Sequence, residues 1–473
     1  MTTFIIISFL LFFIAIGIYF GRGNTTASEY FKGSESTPWV VAMFSIVATE
    51  TSVLTFVSVP SISYRGDWWF LQLGFGYLIG RVLVSYILLP KYFSDDIVSI
   101  YEVIGKYYGR AVQRFSSSVF LLTRLLADGI RFLATAIVFD VLTGWGIVLS
   151  VLVIGFVTLL YSSFGGFRSI VWIDSIQFLI YLLGGVVSLY YLFSFLGNQA
   201  ALEALFNSDR TSIFHFGGSI LYQSNLFING LIGGTFLSFA SHGVDYMMVQ
   251  RSLSCHDLGS ARKAMIGSGF LVILQFMIFL CVGTLLYTFF NGIGDLSLMS
   301  EKFIEQGQVK KDRELSLFVT YYLPPALRAF LLVGVMSAAM STLSSSINSL
   351  SSSTVRDLFG INDDIWISRA VSVFWAFVLI AIALMFDESN TLLVITGLKI
   401  ASFTYGILLS LFLMYLTKLK PQNWVIVFSA ILGVVTVFAL QDLGISWTWF
   451  ILASTAVNYL VALFVTKYAQ RGV

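Results

Sequence analysis

Long apolar runs with short polar connections between them constrain this chain more than any other feature of its sequence. Each run is about 17 to 28 residues long, the length that a helix needs to cross a lipid bilayer. With 57% hydrophobic and only 11% charged residues, the composition also differs from that of a water-soluble chain of 473 residues. The thirteen predicted spans are 4–20, 38–60, 68–90, 116–143, 146–163, 169–195, 225–250, 264–290, 325–354, 366–386, 391–417, 423–440 and 447–467. We therefore expect an all-α integral membrane protein embedded in the lipid bilayer.

Basic residues fall on alternate connections between these spans and predict the orientation of the chain. Connections rich in Lys and Arg remain on the cytoplasmic side of a membrane. These connections carry Arg22, Lys32, Lys91, Lys106, Arg110, Arg114, Arg168, Arg251, Arg262, Lys263, Arg356, Arg369, Lys418, Lys420, Lys467 and Arg471. We expect a multi-pass protein of the cell inner (plasma) membrane, with its N-terminus outside and its C-terminus in the cytoplasm. On the outer side, the segment 310–314 contains basic residues that are balanced by acids. We expect this segment to be a solvated hairpin or helix.

The first apolar run is interpreted as a retained helix rather than a signal peptide. No Lys or Arg precedes Phe4, and no small-residue cleavage pattern follows the run, which is bounded by Gly21 and Arg22. A secretory signal peptide is expected to have a basic residue before its apolar run and a small-residue cleavage pattern after it.

Several classes of protein are excluded by composition and motif content. A net charge of +2 without a basic run gives no support for a nucleic-acid partner. Cys255 and Cys281 lie in a polar loop and an apolar span, and the three histidines are scattered, so neither a disulfide framework nor a zinc centre is expected. Neither a phosphate loop nor a nucleophile elbow occurs, so the chain is predicted not to be an enzyme. Polar stretches are too short to hold a soluble domain.

A ladder of hydroxyl groups lies in the ninth predicted span. On a helix, Ser341, Ser344 and Ser345 share one face, while Thr342 and the carbonyl of Ala338 point to a neighbouring face. Na⁺ is stabilised by neutral oxygen ligands plus at most one carboxylate, and hydrocarbon supplies neither. Two adjacent oxygen clusters for Na⁺ are one interpretation. The other is that these hydroxyls bond back to helix carbonyls or allow close helix packing.

Two predicted spans contain interruptions. The second span is interrupted by the polar segment 48–52 near the bilayer midplane. The seventh contains Gly233, Gly234, Thr235, Ser238, Ser241, His242 and Gly243. Discontinuous helices in corresponding positions of two halves are typical of inverted-repeat transporters, in which freed carbonyls bind cations and half-helix N-termini bind anionic groups. Glycine pairs can instead serve only close helix packing.

Four motifs carry a resemblance to a known family. They are 161–177 (Tyr-Ser-Ser-Phe-Gly-Gly-Phe-Arg-Ser-Ile-Val-Trp-Ile-Asp-Ser-Ile-Gln), Val249-Gln250-Arg251, 338–345 and 401–406. With these motifs the chain resembles the sodium:solute symporter family, which includes sodium-coupled carriers of proline, sugars, sialic acid, and monocarboxylates or vitamins. The resemblance implies the leucine-transporter fold, a five-plus-five inverted repeat. A single membrane transport domain, 1–473, would then comprise an extra N-terminal helix (4–20), two repeats (38–195 and 225–417) and two C-terminal helices (423–467).

The resemblance also implies ligands for two sodium ions. Matched by position, the first site would use the carbonyls of Ala48, Thr51 and Ala338 and the hydroxyls of Ser341 and Thr342. The second site, typical of the sialic acid carriers, would use Asp174, Ser341, Ser344 and Ser345. An alternative for Asp174 is a carboxylate satisfied by neighbouring hydroxyls or by Arg168.

A stripe of charges marks the fourth predicted span. Arg124, Asp128 and Arg131 are spaced i, i+4 and i+7, and three charges facing lipid would be prohibitive, so the stripe is expected to face protein or water. Asp128 can pair with one arginine, which leaves net positive charge for a solute carboxylate or for Glu50. The alternative is a charge network that only fixes helix packing.

Other candidate solute-binding residues follow from the position of the solute in the resembling fold, beside the first broken helix. They are Glu50, Ser52, Thr55, Gln72, Ser238, Ser241 and His242. Ser241 stands where the sugar carriers have an aromatic gate residue, and Ala127 aligns with the arginine that binds the sialic acid carboxylate in the sialic acid carriers. The resemblance therefore does not assign either sugar or sialic acid as the substrate of this chain. Three roles are open for Glu50: it contacts solute, aids sodium binding or neutralises an arginine.

The sequence therefore predicts a secondary active symporter. We expect two Na⁺ to move inward with a small polar organic solute that carries a carboxylate, by alternating access and without an obligate protein partner. A sodium-permeable channel or a substrate-gated membrane receptor is the alternative function, and a neutral sugar or polyol is the alternative solute.

Overall fold

The architecture is almost entirely helical. The computed structural model describes residues 8–9, 11–16, 19, 26–32, 37–94, 99–206, 209–299, 301–305, 308–361, 364–385 and 393–471. Within them, the strand pairing is a short antiparallel pair, β1 (Ile304–Glu305) with β2 (Gln308–Val309). Residues 4–7, 10, 17–18 and 20 of the predicted span 4–20 lie outside the described residues, and so do Gly21, Arg22 and the start of the predicted span 391–417.

The helices appear close to the predicted spans. In chain order they are α1 (Ala27–Lys32), α2 (Trp39–Glu50), α3 (Val53–Arg65), α4 (Leu71–Leu83), α5 (Leu89–Ser94), α6 (Ile100–Tyr108), α7 (Arg110–Thr143), α8 (Ile147–Leu196), α9 (Asn198–Phe206), α10 (Phe227–Gly243), α11 (Tyr246–Leu253), α12 (Leu258–Gly292), α13 (Glu314–Tyr322), α14 (Pro325–Ser353), α15 (Ile365–Met385), α16 (Leu393–Leu416), α17 (Asn423–Asp442) and α18 (Phe450–Arg471). Wider π-type turns continue α4 over Val84–Leu88 and α14 over Thr354–Phe359.

Eight helices in the described part of the chain are long and apolar enough to cross a membrane, or nine if α2 and α3 form one broken span. The predicted count of thirteen is therefore not confirmed. α7 lies at a predicted span but carries the three charges of the stripe, which make it less apolar. The described residues thus form a polytopic helical protein whose polar helices lie among apolar ones.

The first predicted interruption is a true break. α2 ends at Glu50 and α3 begins at Val53 at an angle of 64° to it. The Ser52 hydroxyl accepts from the backbone N–H of Leu54 at 3.2 Å and so caps α3. In the last turn of α2, the carbonyl of Ala48 accepts from Ser341 Oγ of α14 at 3.1 Å.

The second interruption lies further along the chain than predicted. α10 stays helical through Gly233, Gly234 and on to Gly243, and the break falls at Val244–Asp245, where Asp245 caps α11 through Met247 N at 3.0 Å. The glycines serve packing instead: a Cβ at Gly234 would lie 2.5 Å from the Leu73 carbonyl oxygen of α4. Small residues allow such close backbone contact between membrane helices.

Two helices position the polar residues at the centre of the protein. α8 is bent at Gly166, whose φ of 62° and ψ of −171° are not helical, and its second arm, Gly166–Leu196, carries Asp174. α14 packs against that arm, and every residue from 331 to 353 in α14 is buried. The hydroxyl ladder therefore faces protein along its whole length.

In the segment 310–314, Lys311 is exposed as predicted, but the two acids are not. This segment was expected to be solvated, but Glu314 is 0% exposed and Asp312 is 5% exposed. Ser61 and Arg65 at the end of α3 both donate to Glu314 Oε1, at 2.9 and 2.8 Å. Glu314, one of the acids that balance the basic residues in the sequence, therefore connects α13 to α3.

Candidate ion and solute site

A central cavity lies at the break between α2 and α3. Apolar side chains from α3, α10, α11, α12 and α16 form much of its wall, together with Phe70 just before α4. Its polar lining consists of Glu50, Thr51, Ser52, Thr55, Tyr77, Arg131, Ser241 and Tyr405. A mostly apolar cavity with a few convergent polar groups is the usual form of a small-molecule site.

Glu50 is neutralised by an arginine that sequence reasoning did not single out. The Arg81 guanidinium of α4 donates to Glu50 Oε2 through Nη2 and to Ser268 Oγ through Nη1 at 2.8 Å. His242 Nε2 lies 3.2 Å from Arg81 Nη2 and 3.6 Å from Glu50 Oε2. Of the three roles that were open for Glu50, the geometry favours neutralising an arginine.

Arg124 is held in a separate buried network. Its Nε lies 3.1 Å from Asp245 Oδ2 and its Nη2 donates to Tyr405 Oη at 2.6 Å. Tyr405 in turn donates to Asp245 Oδ2 at 2.8 Å. The network joins α7, α16 and the break before α11, so the packing interpretation fits Arg124.

Arg131 has a different environment from Arg124. It lines the central cavity with a side chain 15% exposed, against 1% for Arg124. Its contact to Asp128 Oδ1 is long, at 3.5 Å, and Asp128 also accepts from Ser346 Oγ. Among the described residues that line the cavity, Arg131 is the one Arg or Lys side chain.

The remaining solute-binding predictions divide into two groups. Ser52, Thr55 and Ser241 line the central cavity, as predicted. Gln72 does not: it is 0% exposed, and its side-chain N–H groups donate to the carbonyls of Trp69 and Asn225 at 3.1 and 2.8 Å. Close packing between α4 and α10 places it within the helix interface. Ser238 and His242 are likewise buried behind the cavity, where the Ser238 hydroxyl lies 3.4 Å from His242 Nδ1.

The residues of the first predicted sodium site lie together. Ser341 Oγ donates to the carbonyl oxygens of Ala48 and Ala338, both at 3.1 Å, and so connects α2 with α14. Thr342 Oγ1 donates to the same Ala338 carbonyl at 3.3 Å, and Thr51 lines the same small cavity as Ala48 and Ser341. These are neutral oxygen groups of the kind that Na⁺ prefers.

The second predicted sodium site already contains a cationic side chain. Asp174 Oδ2 accepts from Ser45 Oγ at 3.0 Å and from Arg251 Nη2 at 2.9 Å. Arg251 Nη2 also donates to Ser345 Oγ. Ser344 does not reach this cluster through a hydrogen bond and instead donates to the Ser341 carbonyl at 3.1 Å. Arg251, which was placed on a cytoplasmic connection, is 0% exposed.

Sequence reasoning missed two arginines and one aspartate at these sites. Arg81 lies inside the third predicted span, and an arginine within a membrane helix was a signal that was available. Arg251 lies one residue beyond the predicted end of the seventh span, so it was counted with the loops. Asp245 gave no periodic signal of its own, because its role arises from the break that it caps.

Comparison with known proteins identifies the family. The model of the sodium:solute symporter family matches residues 30–422. The chain is 28% identical over 417 residues to mouse sodium-coupled monocarboxylate transporter 1, covering 85% of this chain and 67% of that protein. It is 25% identical over 360 residues to the sodium/sialic acid symporter NanT of Aliivibrio fischeri, covering 73% of this chain and 67% of that protein. The chain spans 56% to 67% of the length of four curated relatives that it matches.

A solved structure shows the same fold. The match to a substrate-bound, outward-open Na⁺-coupled sialic acid symporter has a TM-score of 0.87 at 19% identity and covers 99% of this chain and 98% of that one. Its architecture agrees with the helical membrane fold expected from the four motifs. The matched relatives are transporters rather than enzymes. The chain therefore belongs to the sodium:solute symporter family.

Proposed function

We propose that this protein is a symporter that uses the inward movement of two Na⁺ to import a small organic solute with a carboxylate group. The observation that carries the choice of solute is the contrast between the two charged residues of the central cavity. Glu50 is paired with Arg81, whereas Arg131 faces the cavity with only a long contact to Asp128. A carboxylate is the group that a guanidinium binds best, through charge-assisted and bidentate hydrogen bonds.

The charge balance around the cavity couples the solute to sodium. Three basic side chains, Arg81, Arg124 and Arg131, meet three acids, Glu50, Asp245 and Asp128. Because this cluster is neutral, a bound carboxylate alone would add an uncompensated negative charge in a partly buried site. A sodium ion at neutral oxygens nearby cancels that charge, so each ligand raises the affinity of the other. Such coupling is reciprocal and typically about 5–150-fold.

The first sodium site supplies the conformational link. Its donors belong to the broken helix and to the hydroxyl helix, which Ser341 already joins through the Ala48 carbonyl. A sodium ion at this point would replace that hydrogen bond with ion–oxygen contacts and hold α2 against α14. We infer that sodium stabilises the outward-open form and that its release into the cytoplasm frees the two helices to separate.

The driving force is sufficient for uptake of an anion. Each Na⁺ that enters at −100 mV contributes about 2.3 kcal/mol from voltage, and a monoanion costs the same amount. Two Na⁺ with one monoanion therefore gain about 2.3 kcal/mol net, or roughly fiftyfold accumulation, before the sodium concentration gradient is counted.

Uptake by purified protein in sealed proteoliposomes tests this function. We expect a monocarboxylate to accumulate against its gradient when external Na⁺ is present and not when K⁺ replaces it. A channel would only equilibrate the solute or the sodium, and a receptor would move neither. The amide analogue of each acid is the matched control, because it keeps the shape and removes the charge. Equal uptake of acid and amide would contradict the choice of solute.

A further inference from the structure

Arg251 lies in the place that sodium was predicted to take at the second site. Its Nη2 atom is 2.9 Å from Asp174 Oδ2 and also donates to Ser345 Oγ. Both members of the ion pair have side chains 0% exposed. Two of the predicted sodium ligands are therefore occupied by one guanidinium nitrogen.

The rest of the guanidinium fastens Arg251 to two further points. Its Nε donates to Ser45 Oγ at 3.0 Å, and Nη1 donates to the carbonyl of Met247 on its own helix. Through Ser45, Asp174 and Ser345, the half-helix α11 is tied to α2, α8 and α14. One buried side chain thus joins four helices around the predicted second sodium site.

One position on the carboxylate stays open. Asp174 Oδ1 is buried and has no hydrogen-bond partner among the described residues. A buried acceptor without a partner is costly, and an arriving cation would satisfy it. Oδ1 is therefore the carboxylate oxygen left for an incoming cation, whereas Oδ2 and Ser345 Oγ stay with the guanidinium until it leaves.

We propose that Arg251 is a tethered counter-cation of the second site, which sodium displaces from Asp174 and Ser345. This inference rests on the second sodium site of the proposed function. The exchange keeps the buried Asp174 carboxylate compensated in both states, by Arg251 when the carrier is empty and by Na⁺ when it is loaded. A buried carboxylate left without a cation would be strongly destabilising.

The exchange also has a conformational consequence. When sodium displaces Arg251, the ties from α11 to Asp174 and Ser345 are lost together. The guanidinium also lies over the ring of Phe167, whose centroid is 5.9 Å from Arg251 Cζ, and this ring would remain as a partner for the released cation. Sodium binding at the second site thus releases the half-helix α11 from α8 and α14, whereas sodium binding at the first site holds α2 against α14. The two sodium ions then have distinct roles in the transport cycle.

Sodium-dependent thermal stability of the purified full-length protein tests the exchange without relying on transport. Arg251→Ala removes the competitor, so we expect the sodium concentration at half-maximal stabilisation to fall by about fivefold or more, a typical coupling between sites. Added guanidinium should raise that concentration again in Arg251→Ala but not in the wild type, whose site holds its own guanidinium. An unchanged or higher sodium midpoint, or no effect of guanidinium on the variant, would overturn the inference.

A second variant covers the case in which Arg251→Ala does not fold. Arg251→Lys keeps the charge but cannot reproduce the forked contacts to Asp174 and Ser345, so it should be a weaker competitor and lower the sodium midpoint by a smaller factor. A midpoint equal to that of the wild type would count against displacement. Failure of the proposed function looks different, because the wild-type protein itself would then show neither sodium-dependent stabilisation nor sodium-dependent uptake.

Discussion

Arg81 and Glu50 form an ion pair that connects the last turn of α4 to the last residue of α2, directly beside the central cavity. The arginine side chain is fully buried, while 13% of the glutamate side chain is exposed. Ser268 and His242 hold the guanidinium from two other sides. The acid that could have contacted solute or sodium is thus already compensated, and its pairing fixes the inner end of the broken helix.

Glu50→Gln should destabilise the protein through Arg81 rather than through lost sodium binding. Removing one partner of a buried ion pair costs about 3–5 kcal/mol, because the other charge is left uncompensated. We expect the melting temperature to fall clearly while the sodium midpoint stays within about twofold of the wild type. Thermal unfolding in a sodium titration measures both quantities.

The double variant Glu50→Gln/Arg81→Gln is the matched control for that experiment. With both charges removed, it should recover part of the lost stability, with a coupling energy of about 0.5–3 kcal/mol. Additive losses from the two single changes would show that the pair does not act as a unit. A Glu50→Gln protein that is as stable as the wild type but is no longer stabilised by sodium would instead show that Glu50 takes part in sodium binding.

Ser341→Ala should weaken sodium binding at the first site by about tenfold or more, since polar contacts to a charged group contribute about 1.5–3 kcal/mol. The measurement is the sodium midpoint of thermal stabilisation and of uptake. Ser337→Ala is the matched control on the same helix, because among the described residues the Ser337 hydroxyl donates only to the Val333 carbonyl, at 2.7 Å. Equal effects of the two changes would remove Ser341 from the site.

Ser346 is a poor control for that comparison, although its helical position points it away from the predicted ion ligands. Its hydroxyl donates to Asp128 and to the Thr342 carbonyl. Ser346→Ala would leave the Asp128 carboxylate with one donor fewer, so it should alter the contact of Asp128 with Arg131. Its expected effect is on solute affinity more than on sodium affinity.

The sequence identified those parts of the fold and the site that depend on local pattern. The hydroxyl face of α14 and the charge stripe of α7 follow from helical spacing alone, and the break after Glu50 follows from polar residues inside an apolar run. The family resemblance added Asp174 and the carbonyl of Ala48, which no periodicity marks.

What could not be predicted is the pairing of charges between distant helices. Arg81 with Glu50, Arg251 with Asp174, and Arg124 with Asp245 are each separated by tens of residues or more. Which acid each arginine meets depends on how α4, α7 and α11 pack, and that packing is set by shape and glycine contacts across the whole fold. The stripe of Arg124, Asp128 and Arg131 has a surplus positive charge when α7 is considered alone. Asp245, from another element, pairs with Arg124 and cancels that charge.

Arg131→Gln should weaken solute binding by about tenfold or more while leaving the sodium midpoint in the absence of solute unchanged. The reason is that a charge-assisted pair with a carboxylate contributes about 1.5–3 kcal/mol, and Arg131 is the cavity-lining cation. Solute titrations of thermal stability, with and without sodium, measure the change.

Arg124→Gln is the matched control for Arg131, because the two arginines share one helix and one partner in Asp128. Its buried contacts to Asp245 and Tyr405 predict lost stability, by about 3–5 kcal/mol, rather than a selective loss of solute affinity. Normal solute binding by both variants, or a solute that proves to be a neutral sugar or polyol, would make the stripe structural.

Glu314 predicts a pH dependence at the contact between α13 and α3. It lies outside the candidate spans, and burial, which outweighs the nearby Arg65 guanidinium, raises the pKa of Glu314 from 4.5 to about 7. Its Oε2 atom is buried with no hydrogen-bond partner among the described residues, and protonation there would relieve part of the cost of burying the charge.

The sign of the effect follows from the higher pKa in the folded state. The folded protein binds this proton more tightly than the unfolded chain, so the stabilisation is complete below about pH 4.5 and is lost as the pH rises through about 7. Melting temperature should therefore fall between those values, at a cost of up to about 1.4 kcal/mol per pH unit from this group. Glu314→Gln should flatten that part of the curve, whereas Glu301→Gln, at an exposed position, should not. A wild-type curve that rises over the same window, or an unchanged slope in Glu314→Gln, would show that Glu314 stays ionised and that Arg65 dominates over burial.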